Sequence, residues 1–103
     1  MIEIKVIKDC DAVRSVIATG HANKGRKSEQ ICSGVSTLMY TLALTLSEVN
    51  RVGVSVIDDD KGMCVEIIRG HMKKETQVIT NTIVRGLKGI SDLYPHSVRV
   101  HFN

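Results

Sequence analysis

The 103-residue chain contains no tryptophan, a single phenylalanine and two tyrosines. Its core must therefore be aliphatic, built from Ile, Val, Leu and Met. Binders of single-stranded nucleic acid usually line a basic groove with stacking aromatics, and this chain has almost none to offer. A formal net charge of +3 is too mild to argue for a nucleic-acid partner on its own. Long apolar runs are also missing. The richest segment, 35–46, is interrupted by Ser36, Thr37, Thr41 and Thr45 and falls short of the ~20 residues a membrane span needs. No basic-then-apolar leader opens the chain, so no signal peptide is expected. Three cysteines, in no ligand spacing, support neither a disulfide framework nor a metal site. A reduced, cytoplasmic protein without metal or cofactor is the expectation.

What is present suits one folded domain spanning residues 1–103. An apolar fraction of 43% and a charged fraction of 24% are ordinary for a folded chain. Ile2, Ile4 and Val6 alternate with less apolar neighbours and predict a strand. Asp9-Cys10-Asp11 predicts a turn, and the β-branched run 13–19 a second strand. The polar stretch 20–28 is longer than the ~4–6 residues of a usual connection. Its Lys24, Arg26 and Lys27 make it basic, and it has little to bury, so it is expected to order on binding. Ile31, Val35, Leu38, Leu42, Leu46 and Val49 recur at three- and four-residue spacing, the clearest helical signal in the chain. Ser28 is the expected N-cap, with Glu29 in the first turn. A hairpin follows through Val52, Val54 and Val56, the Asp58–Gly62 turn, and Met63, Val65 and Ile67. A second helix carries Ile79, Ile83, Leu87, Ile90 and Tyr94 and stops at Pro95, before a closing strand at 98–102. The order ββαββαβ predicts an α+β, two-layer fold: a mainly antiparallel sheet with two helices on one face.

Two residues in this scheme can carry chemistry. His21 follows the second strand and Cys32 lies near the start of the first helix, a short stretch of chain apart. An unassisted thiol, with a pKa of ~8.5, is mostly protonated at neutral pH. A helix start and a nearby imidazole would both favour the thiolate, and free backbone N–H groups there would suit an oxyanion. On spacing alone, however, burial statistics favour a packed thiol for Cys32 and a surface role for His21. Ser36, one turn after Cys32, reads equally as a substrate contact or as a hydroxyl bonded to its own helix. Glu29 reads better as a helix-dipole partner than as an acid orienting His21. Gly34, costly inside a helix, implies a close approach by His21, by a substrate or by the sheet.

Gly20-His21-Ala22, a polar glycine-containing loop and Cys32-Ser33-Gly34-Val35-Ser36 together resemble the signature of the bacterial ribosomal-processing cysteine proteases. The resemblance extends over essentially the whole chain. It implies a thiol endopeptidase with a Cys32–His21 dyad, Gly20, Glu29, Ser33 and Ser36 in supporting or substrate-binding places, and no cofactor. It implies a homodimer that removes a short N-terminal extension from a large-subunit ribosomal protein, cleaving after an aromatic residue, with no direct contact to nucleic acid. The loop here is about one residue shorter than the family's and lacks its aromatic residue, and the family's loop acid is either Glu29 or missing. A prophage-type paralogue trimming a phage structural protein fits these departures equally. The competing classes are a non-catalytic ribosome- or RNA-associated α+β binding module and a structural dimer with Cys32 in its core.

Overall fold

The computed structural model describes every residue except Asn23, Lys24, Arg26 and Asn50. The expectation of a basic loop that orders on binding falls largely on 23, 24 and 26 and lies outside the described residues. The elements are β1 (Ile2–Asp9), β2 (Ala12–Gly20), α1 (Ser28–Glu48), β3 (Gly53–Asp59), β4 (Gly62–Arg69), α2 (Lys74–Leu93) and β5 (Val98–Phe102). They form the expected ββαββαβ order.

The sheet runs β3-β4-β2-β1-β5. Three of its pairings are antiparallel, and β1 lies parallel to β5, which makes the sheet mixed. Period-two alternation explains which side is buried. Ile2, Ile4 and Val6 of β1, Val16 and Ala18 of β2, and Met63, Val65 and Ile67 of β4 all point to the helices and belong to one core. Cross-strand register keeps them in rows: Val6 opposes Val16, which opposes Val65. The opposite face is mixed, with Lys5 and Glu66 beside a row of Ile17, Cys64 and Ile57.

Helix α1 buries Ile31, Val35, Met39, Leu42, Ala43 and Leu46 against this surface. Its cap departs from expectation. Lys27 occupies the N-cap position without a side-chain cap bond, and Ser28 is already helical. Helix α2 begins at Lys74, well before the apolar markers in its sequence, because Thr76 and Thr80 extend the buried stripe that Ile83, Val84 and Leu87 continue. The Thr80 hydroxyl donates to the Thr76 carbonyl, so this side chain enters the core with its polar atom bonded. Tyr94 caps the C-terminus with its N–H on the Ile90 carbonyl.

The two helices approach closely at Gly34, where an added Cβ would lie 3.3 Å from Ile90 Cδ1. Helix–helix packing is therefore a close approach that accounts for this glycine within the protein, and neither His21 nor the sheet comes within 4 Å of that Cβ. No helix among the described residues is long and apolar enough to cross a membrane.

Candidate active site

Strand β2 ends in Gly20, whose φ of +88° is a backbone conformation that L side chains rarely adopt. A Cβ there would also sit 2.3 Å from the Met1 carbonyl oxygen. This glycine lets the chain leave the sheet beside β1 and turn towards α1, with His21 lining the cavity that Cys32 also lines. The Ala22 N–H donates to Cys32 Sγ across 3.5 Å, a direct tie between the end of β2 and the first helix.

Cys32 is half-buried and His21 is exposed. Cys32 is the fifth residue of α1, a full turn inside it. Its own amide can therefore enter the helical ladder, and the terminal partial charge has largely decayed at that depth. The observed polar partner of the sulfur is the Ala22 amide rather than the helix terminus. Sequence reasoning passed over Ala22, since a backbone donor leaves no trace in residue identity.

His21 and Cys32 line one cavity of about 180 Å³ between α1 and the ends of β2 and β4. Apolar Ile2, Ala18, Val35, Met39 and Met63 form part of its wall. Ser36 also lines it, and its hydroxyl bonds to no described residue, unlike Thr41 and Ser47, which bond back to their helix. Glu29 and Ser33 are exposed and not among the cavity's lining residues. Glu29 makes no ion pair or hydrogen bond with a described residue, so its position in the first turn is what it contributes.

The far end of the cavity was not anticipated. Tyr40 of α1 donates its hydroxyl to Asp58 Oδ2 of β3. This bond and the carboxylate charge push the Tyr40 hydroxyl's pKa above its ordinary value. Asp58 is in phase with Val54 and Val56, so it projects from the helix-facing side of β3; an acid in that register was the available signal. Asp59 holds its own turn, accepting from the Lys61 and Gly62 N–H groups at 2.9 and 3.2 Å. Among the described residues no group of three His, Cys, Asp or Glu side chains could hold a metal ion.

Comparison with known proteins adds to this geometry. The family model described as cysteine protease Prp matches residues 1–99. The crystal structure of SMU.848 from Streptococcus mutans superposes with a TM-score of 0.88 at 24% identity, covering 99% of this chain and 96% of that one. The S. aureus ribosomal processing protease Prp superposes over the full length of both chains. Its complex with a substrate peptide gives a TM-score of 0.88 at 20% identity. Its complex with a covalently linked product peptide gives 0.84 at 21%. At these identities the superpositions speak for the fold. Among proteins of curated function, none is significantly similar in sequence. The family match over nearly the whole chain decides the assignment: this protein belongs to the cysteine protease Prp family.

Proposed function

We propose that the chain is a cysteine endopeptidase with Cys32 as nucleophile and His21 as general base. The observation that carries this reading is the shared cavity, in which Cys32 Sγ accepts the Ala22 N–H and His21 lies one residue away in the chain. His21 takes the thiol proton, and the sulfur attacks the scissile carbonyl carbon. The imidazolium then gives its proton to the departing amine as the C–N bond breaks, leaving a thioester on Cys32. Water, deprotonated by His21, adds to that thioester, and breaking the C–S bond releases the carboxylate product and the sulfur. Gly20 sets the course of the chain into His21, and Ser36 offers a hydroxyl to the bound peptide.

The substrate we propose is the N-terminal extension of a large-subunit ribosomal protein, cleaved after an aromatic residue. The family membership supports it, as does the apolar wall of Val35, Met39 and Met63, which suits such a side chain. The protein acts in the cytoplasm as a homodimer.

The test is cleavage of a peptide with an aromatic residue before the scissile bond. Cys32→Ala should abolish cleavage with the fold intact. His21→Ala should lower the rate by about 10²- to 10⁴-fold, the range for a positioned acid–base group. Wild-type turnover in Cys32→Ala would exclude the mechanism.

A further inference from the structure

Cys32, Ser36 and Tyr40 stand at four-residue intervals and so form one line along α1. At 1.5 Å per residue, Tyr40 lies about 12 Å beyond Cys32 along the helix axis. All three residues line the same cavity, as does Asp58. Asp58 reaches the cavity from the other wall, since it sits on the helix-facing register of β3 opposite Met63. The Tyr40–Asp58 hydrogen bond therefore ties the two walls together at the end remote from the thiol. Tyr40 is 47% exposed; Leu44, one turn further along, is 65% exposed and is not among the cavity's lining residues.

We propose that Tyr40, held in place by Asp58, is a specificity-determining residue that closes the substrate cleft. The inference rests on the peptidase reading of the cleft and deepens it. The ring forms the end wall. The hydroxyl–carboxylate bond fixes that wall, because a tyrosine on a helix surface otherwise samples several rotamers. The rise of about 12 Å between Cys32 and Tyr40 along the axis is the upper bound on the length open to a side chain or peptide segment extending from the thiol towards the ring. Compact groups fit within this length, and extended groups collide with the wall. The residue acts on which substrate is accepted, not on bond cleavage.

The experiment compares alkylation of Cys32 by iodoacetamide with alkylation by an iodoacetamide carrying a biphenylmethyl group. The Cys32-containing peptide is followed by mass spectrometry, so Cys10 and Cys64 do not interfere. In Tyr40→Ala the bulky-to-small rate ratio should rise about tenfold or more, the scale on which a pocket wall discriminates. Tyr40→Phe keeps the ring and loses its anchor, so it should show a smaller rise. Asp58→Asn, which still offers an oxygen to the Tyr40 hydroxyl, should stay near wild type. A Tyr40→Ala ratio within about twofold of wild type, with an unchanged circular dichroism spectrum, overturns the proposal. If Tyr40→Ala does not fold, a Tyr40→Phe ratio no different from wild type overturns it instead. Alkylation needs no turnover. A shifted ratio in a protein that cleaves no peptide would sustain the wall and refute the endopeptidase.

Discussion

Gln77 of α2 ties together the half of the sheet remote from the cavity. Its Oε1 accepts the Val13 N–H at 2.9 Å, while its Nε2 donates to the Val13 carbonyl at 3.0 Å and to the His71 carbonyl at 2.5 Å. Val13 needs this partner because β4 pairs with β2 only from Ser15 onward, so beyond that point no strand lies on the side of Val13 away from Lys8, its partner in β1. The end of the β4 pairing leaves Val13's backbone groups without a strand partner in a residue only 1% exposed. Replacing Gln77 by Met keeps the length and removes all three bonds. Each bond contributes about 0.5–1.5 kcal/mol net, and an orphaned buried group costs more, so a loss of about 3 kcal/mol is expected. In a domain of this size that lowers the melting temperature by roughly 15 °C. Urea unfolding followed by far-UV circular dichroism measures it. Gln77→Glu keeps the acceptor but turns a carboxylate oxygen towards two carbonyls. Its folded-state pKa is thereby raised, so this variant should regain stability as the pH falls through that value. A Gln77→Met loss below about 0.5 kcal/mol would refute the idea that this side chain stands in for the missing strand partner of Val13. The Cys32 alkylation rate should not change in either variant, since the cavity lies at the other end of the strands.

Two further outcomes are expected. Burial, and secondarily Glu66, raise the Cys64 thiol pKa, so at mildly alkaline pH Cys64 holds less thiolate and should alkylate more slowly than exposed Cys10; equal rates would contradict this. Light scattering at micromolar concentration should return twice the 11.3 kDa chain mass, because the open sheet face carries Ile57 and Ile68, each 58% exposed; a monomer mass would count against the dimer.

Period-two alternation made β1, β3, β4 and β5 readable in the sequence, β2 was readable as a β-branched run, and α1 was readable because its buried residues are nearly all aliphatic. The first turn of α2 was hidden for a chemical reason. Thr76 and Thr80 are fully buried but read as polar, and only the helical carbonyl that receives the Thr80 hydroxyl reveals why one is tolerated there. The site was half legible. His21 and Cys32 stood out as residue types with chemistry, and the fold brings both to one cavity. The Ala22 amide could not be read, since every residue but proline carries one. Tyr40 and Asp58 are far apart in sequence and meet because β3 and α1 face each other, which no local spacing encodes. Gly34 showed that something approaches closely but not what; the answer, Ile90, lies on the other helix.

The parallel pairing of β1 with β5 has a consequence for timing. Hairpins β1–β2 and β3–β4 close over short loops and can form early. Ile2, a wall of the cavity, is clamped instead by Val98 and donates its N–H to the Ser97 carbonyl at 2.8 Å. This contact spans nearly the whole chain and carries the largest loop-closure entropy in the fold. During synthesis from the N-terminus, His21 and Cys32 emerge long before the strand that braces Ile2. The groove that would hold a peptide against the thiol becomes firm only when β5 arrives. On the proposed dyad, competence to cut is thus deferred until the fold is complete, and a half-made chain carries His21 and Cys32 without a finished wall to press a substrate against them.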